Sequence, residues 1–186
     1  MRGQENLIAQ LKSNAVEAFD QLIEQYGDRL YWHIRRVVVQ HEEAEDVLQE
    51  TFTQAFLSIK DFRGDSEGSL IAWLYRIATT FSIRALRKRK RGIFSSIDSV
   101  RGSLLATFEQ EVEPTADEII VKLQRAVLAL PTKQRLVFNM RYYDELSFEQ
   151  ISQITGDKVS TLKTNYHYAV QKVKESVSVI EIGEEL

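Results

Sequence analysis

Only two prolines and eight glycines interrupt 186 residues, and between them apolar side chains recur at intervals of three and four. A chain with so few breakers and that period buries its apolar face by coiling into helices. In AVEAFDQLIEQYGDRLYWHIRRVVV the positions Val16, Phe19, Leu22, Ile23, Tyr26, Leu30 and Ile34 fall on one helical face. EEAEDVLQETFTQAFLSI repeats the pattern with Ala44, Val47, Leu48, Phe52, Ala55, Phe56 and Ile59. KDFRGDSEGS, with two glycines among small polar residues, breaks it and reads as a loop. A third helix is predicted from about Ser69 to Arg91.

The composition changes after Gly92. IFSSIDSVRGSLLATFEQEVEPTADE holds six acids, one base, a proline and no steady helical period. At roughly 25 residues it is long for a connection inside one compact domain, so it reads as a flexible linker. Periodicity resumes at EIIVKLQRAVLAL, stops at Pro131 and resumes to Ser176, leaving SVSVIEIGEEL as a short, loose acidic tail. The expected fold class is all-α. Two small helical domains, residues 1–92 and 118–186, are joined by an extended acidic linker over 93–117, and the second domain carries a helix-turn-helix.

Several function classes drop out. With no cysteine there is no disulfide framework, thiolate metal site or thiol nucleophile. No run approaches 18 apolar residues, so no span of a membrane is expected. The start of the chain, MRGQENLIAQLKSNAVEAF, lacks the apolar core of a secretory signal, and a cytoplasmic protein is the default. His33, His41 and His167 form no metal-ligand spacing, and His33 and His41 read as surface or boundary residues. No glycine-rich phosphate loop or G-x-S-x-G elbow is present. Catalytic residues, metal and cofactor are all expected to be none.

Charge is unevenly spread. The chain is net acidic, with 27 carboxylates against 24 cations, yet RIATTFSIRALRKRKRG at 76–92 holds seven cations and no acid. At 100° per residue, Leu70, Leu74, Ile77, Ala78, Phe81 and Ala85 form an apolar stripe. Arg76, Thr80, Arg84, Arg87 and Arg91 form a second stripe beside it, with Trp73 at its upper edge and Lys88 next to Arg87. Scattered cations usually make a solvated face, but aligned like charges repel unless an anion is near. A polyanion releases counterions on binding such a face, and an indole beside it suits an unstacked base. Nucleic acid fits better than membrane, because the apolar stripe is needed for the core.

LSFEQISQITGDKVSTLKTNYHYAVQKVKE has the pattern of a helix-turn-helix. Ser147 and Gln150 form a capping box, Phe148, Ile151 and Ile154 an apolar side, and Gly156 a turn needing positive φ. The second helix is predicted to start near Asp157 or Ser160, with Val159, Leu162, Tyr166, Ala169 and Val173 inward. Ser160, Thr161, Lys163, Thr164, Asn165 and His167 then face outward, a set suited to phosphates and base edges. An ordinary helical hairpin with a polar outer face explains this segment equally well.

Taken in order, EDVLQETF, WLYRIATTFSIRALRKRKR, an acidic linker and LPTKQRLVFNMRYYDELSFEQISQITGDKVSTLKTNYHYA resemble the extracytoplasmic-function group of bacterial sigma factors. The likeness runs from about residue 15 to about residue 175. It implies a promoter-specificity subunit of RNA polymerase, not an enzyme by itself. By resemblance, Asp46, Gln49 and Glu50 dock on the coiled coil of the polymerase β′ subunit. Trp73, Arg76, Thr80, Arg84, Arg87, Lys88 and Arg91 meet the −10 element. Ser160, Thr161, Lys163, Thr164, Asn165 and His167 meet the −35 element, while the linker threads the polymerase interior. Implied partners are core RNA polymerase through β′ and β, promoter DNA and an anti-sigma factor, with the free chain a monomer. The sequence departs from the pattern at Thr80, where Asn is common, and at Leu70, where an aromatic is common. The loop before Trp73 is about two residues longer than usual, and Asn165, Tyr168 and Val170 stand where bases are common. The competing reading is a dimeric helix-turn-helix regulator acting on palindromic DNA without polymerase. A helical adaptor for protein partners would leave the basic stripe unused.

Overall fold

The computed structural model describes residues 2–13, 16–92, 97–112 and 117–183, with side chains over 7–13, 16–88, 102, 104–110, 112 and 117–177. Among the described residues the chain is helical, with no strand. The first unit contains α1 (Arg2–Lys12), α2 (Val16–Val38), α3 (His41–Ser58) and α4 (Glu67–Gly92), with a 3₁₀ turn at Ile59–Asp61. The second contains α6 (Glu118–Leu128), α7 (Thr132–Tyr142), α8 (Phe148–Thr155) and α9 (Val159–Gly183); α5 (Ile97–Glu111) lies between.

Helix α4 is the centre of the structure, packed against α2 and α3 on one side and α8 on another. The expected apolar stripe is in place: Leu70, Leu74 and Ala78 are buried, and Ile77, Phe81 and Ala85 pack partly buried against the same core. A second face is buried too, carrying Ile71, Tyr75, Ser82 and Leu86. Its burial accompanies the closure of the second unit, whose Val137, Met140, Ile151 and Ile154 join the same core cluster. The cationic stripe is the face left to solvent.

A polar contact joins the units. His33, fully buried, places Nδ1 2.7 Å from Asp144 Oδ2 and Nε2 2.9 Å from Thr79 Oγ1. A carboxylate only accepts, so Nδ1 is the donating nitrogen. Arg36 donates to the other carboxylate oxygen at 3.0 Å and stacks on the Tyr143 ring, 4.4 Å away. The expectation that His33 is a surface or boundary residue is therefore corrected: the closing second unit buries it. His41 is exposed, bonded to Tyr31 and Glu45.

The linker departs from expectation. Instead of an extended strand of chain, Ile97–Glu111 is helical. Leu104 is fully buried with Val37, Leu86, Leu128 and Leu136, and Leu105 and Phe108 pack against them. Burying one leucine contributes about 1.5–3 kcal/mol, enough to favour a helix in a segment with a weak intrinsic signal. Glu109 adds an exposed ion pair to Arg125 at 3.3 Å. The supposed loose tail differs as well, since α9 continues unbroken to Gly183.

Replacing Asp144 by Ala leaves the buried His33 Nδ1–H without an acceptor. Urea unfolding should show a loss of about 3 kcal/mol, and small-angle scattering should show a larger radius of gyration. Unchanged values for both would mean that packing alone holds the units together.

Candidate functional site

Three surfaces carry the residues singled out from the sequence. On α3, Asp46, Gln49 and Glu50 are all exposed and form one polar face. The two acids, four residues apart, make no ion pair with a described residue, so the face keeps its negative charge. Beside it runs a shallow groove between α2 and α3, floored by Ile23, Leu48 and Phe52 and rimmed by Glu24, Asp28 and Glu45. Sequence periodicity assigns Ile23, Leu48 and Phe52 to the core, yet Ile23 is 45% exposed. Among the described residues no helix covers their outer edges. The acids of the rim carry no sequence signal of their own; only the groove they border marks them.

On α4, Arg76, Thr80, Arg84, Arg87 and Lys88 are exposed along one face. The side chain of Arg91 lies outside the described residues. None of these four described cations makes an ion pair with a described carboxylate. A hollow of about 350 Å³ opens at the upper end of the stripe, lined by Trp73, Arg76, Ile77, Thr80, Phe81, Arg84 and Gln54. Its wall is aromatic and cationic together, because Arg84 sits 4.9 Å above the Phe81 ring. Thr80 turns its hydroxyl inward, donating to the Arg76 carbonyl at 2.7 Å. Gln54 of α3 brings a side-chain amide to the same lining, unread in the sequence because the two residues are neighbours only after α3 packs on α4.

The loop between α3 and α4 sets the indole. Phe62 folds back under Trp73 with ring centroids 5.1 Å apart, leaving Trp73 half-buried. Gly64 makes that fold possible, since a Cβ there would meet the Phe62 ring at 2.3 Å. Ser69 donates to the Ser66 carbonyl and Lys12 to the Gly64 carbonyl, tying the loop to α1 and α4. Leu70, noted in sequence as a departure from an aromatic, is buried core, 2% exposed, and lines none of this hollow.

The third surface is the start of α9. Ser147 and Gln150 form the expected capping box in both directions, and Gly156 takes the left-handed turn at φ 77°. Neither Asp157 nor Ser160 caps α9; the first turn closes from Leu162 N–H onto the Lys158 carbonyl, and Val159 opens the helix. Leu162, Ala169 and Val173 are buried, with Val159 and Tyr166 half-buried. Ser160, Thr161, Lys163, Thr164 and His167 are exposed as expected, while Asn165 is half-buried. Lys163 lies 5.9 Å over the Phe148 ring, which ties its stem to α8. Among the described residues no cluster of His, Asp and Glu could hold a metal, and no helix is long and apolar enough to cross a membrane.

Residues 22–92 match the family described as Sigma-70 region 2, and residues 120–173 the one described as Sigma-70, region 4. The chain is 31% identical over 178 residues to the ECF RNA polymerase sigma factor SigW of Bacillus subtilis strain 168, covering 91% of this chain and 94% of that protein. It is 26% identical over 179 residues to the ECF RNA polymerase sigma-E factor of Escherichia coli K12, covering 92% of each. The fold is similar to that of the sigma factor RpoE bound to the anti-sigma factor NepR from Bartonella quintana. There the TM-score is 0.70 at 22% identity, over 88% of this chain and 99% of that one. CnrH, in complex with the cytosolic domain of CnrY, gives a TM-score of 0.69 at 22% identity, over 94% and 97% of the two chains.

A stripe of cations that pair with no described carboxylate, beside an indole, would suit a salt-sensitive contact with single-stranded DNA. If about five phosphates are contacted, affinity should fall about a hundredfold between 50 and 200 mM salt. Arg84→Ala should flatten the logarithmic slope by about 0.7. A slope unchanged in Arg84→Ala would remove that residue from the contact.

Proposed function

The chain belongs to the extracytoplasmic-function group of the sigma-70 family, and from that premise we propose how its three surfaces divide the work. As a sigma factor it binds core RNA polymerase and directs promoter recognition, DNA opening and the start of transcription. Sigma factors are initiation factors without catalysis of their own; the chemistry of RNA synthesis belongs to the polymerase.

In this reading residues 1–92 form the docking and −10 domain, residues 93–117 the linker, and residues 118–186 the −35 domain. The observation that carries it is the segregation of charge on the first unit. An acidic face on α3 and a cationic face on α4 stand exposed on one body without neutralising each other. Asp46, Gln49 and Glu50 meet the β′ coiled coil, with the apolar floor of Ile23, Leu48 and Phe52 taking the partner's apolar side chains. The groove gives that contact a desolvated centre with a charged rim, the arrangement in which rim charges steer and the apolar centre holds.

The α4 stripe follows the −10 element as it opens. Trp73 offers a stacking surface, Arg76 and Arg84 neutralise phosphate, and Gln54 reads a base edge within the hollow where Thr80 gives only bulk. The α9 start enters the major groove at −35, where Thr161, Lys163 and Thr164 reach outward. With one lysine among its six contact positions, that helix holds phosphate weakly. Tethering to the first unit raises its local concentration and makes up the difference. The linker threads toward the β subunit and the RNA path. A cytoplasmic, monomeric free form held by an anti-sigma factor completes the reading; an anti-sigma factor accompanies the structurally similar RpoE.

Two measurements test it. On a sizing column with core polymerase, the wild-type chain should co-elute, and a variant with Asp46, Gln49 and Glu50 all changed to Ala should run free. A wild-type chain that elutes alone as a dimer would favour an independent regulator instead. Separately, Lys163→Ala should lower transcription by roughly tenfold on templates with the upstream element. An equal fall on templates lacking that element would displace α9 from −35 contact.

A further inference from the structure

Arg135 of α7 is 1% exposed, and its Nε has no hydrogen-bond partner. Its side chain makes no ion pair or hydrogen bond with any described residue. An arginine in that position is expensive: its charge has been taken from water and no described carboxylate answers it. Burial lowers Arg135 only to about 10, so it remains a cation at neutral pH. Neither the docking face, the −10 stripe nor the recognition helix accounts for it.

Arg135 lines a cleft of about 450 Å³ between α4 on one side and α7 and α8 on the other. Arg87 and Lys133 line the same cleft, and the one acid among its described lining residues, Asp157, sits 3.8 Å from Lys133. The described lining therefore carries a net excess of two positive charges, three cations less one carboxylate, in a half-enclosed space. Thr132, also in the lining, opens α7. Pro131 caps that helix without a side-chain acceptor, so the first-turn N–H groups of an 11-residue helix are left without a side-chain partner. Arginine fork, lysine, hydroxyl and helix N-terminus are the donor set that phosphate oxygens take.

We propose that this cleft binds a small phosphate-bearing anion, inorganic phosphate or a nucleotide, through Arg135, Arg87, Lys133 and the start of α7. The anion supplies the countercharge that Arg135 lacks. Because Arg87 belongs to α4 and the other donors to α7, the ligand bridges the two units and favours the closed arrangement. It also engages Arg87 of the cationic stripe, so a bound anion and a promoter strand compete for that side chain.

The site is tested without polymerase or DNA, so the outcome is separable from the promoter reading. Titration calorimetry on the full chain would use inorganic phosphate, pyrophosphate and ATP at matched ionic strength in chloride. The expected result is saturable one-to-one binding by at least one of the three, weakened about ten- to a hundredfold in Arg135→Met and in Arg87→Ala. Binding by inorganic phosphate identifies free phosphate as sufficient, and binding confined to ATP identifies a nucleotide. The thermal midpoint of unliganded Arg135→Met should equal or exceed wild type, since a buried unanswered charge has been removed. Arg87 is exposed, so its variant keeps the fold and reads the site independently. No binding by any of the three, or affinities equal in wild type and both variants, would overturn the proposal.

Discussion

Asp144 holds the structure together across more than a hundred residues of sequence. Its carboxylate takes a hydrogen bond from His33 and an ionic one from Arg36, both on α2, while His33 turns its other nitrogen to Thr79 on α4. One side chain of the second unit thus grips two helices of the first. Buried ion pairs contribute more to which arrangement forms than to how stable it is, because desolvation consumes most of the attraction. Here the pair joins α2, and through His33 α4, to the residue that follows α7 and its cap. The remaining contacts at this seam are less complete. Arg135 Nε and Asn139 Oδ1, both on α7, are buried without partners among the described residues. A seam with one strong polar contact and two unsatisfied atoms is closed but not sealed.

The division of α4 into three faces follows from that closure. One face builds the core of the first unit, one receives α8, and the third has only solvent before it. The cations collect on the third because no packing demand falls there. The same logic applies to α3, whose inner positions Ala44, Val47, Thr51 and Ala55 are small or slender and buried. Its outer edge keeps Leu48 and Phe52 partly open, at the groove beside the acidic face. In the closed arrangement, the described cations of α4 and the outward α9 set, apart from the half-buried Asn165, are already exposed.

Local chemistry was legible in the sequence, and distant chemistry was not. Helices α2, α3 and α4 of the first unit, the capping box at Ser147 and the left-handed turn at Gly156 each depend on residues within one or two turns of each other. Period and spacing read them directly, whereas α1 (Arg2–Lys12) was not read from the sequence. The outward set on α9 was legible for the same reason, apart from the half-buried Asn165. His33 was misjudged because its partner stands 111 positions away, and no periodicity couples two sites at that separation. Gln54 was missed because α3 and α4 become neighbours only by packing. The helix over Ile97–Glu111 escaped notice because Leu104, Leu105 and Phe108 are a short apolar signal beside Gly102, stabilised by leucines from α4, α6 and α7.

That connecting helix also sets a length. Its 15 residues span roughly 22 Å as a helix at 1.5 Å per residue, and roughly 50 Å if drawn out. Releasing Leu104 from its cluster and drawing the segment out would therefore pay out roughly 28 Å of slack without breaking any helix of the two units. The connection is a coiled reserve of reach, held, among its described side chains, by one that is buried and two at its edge. How far the two reading heads can travel apart is decided less by the acids that made the segment look like a tether than by whether one leucine stays in its socket.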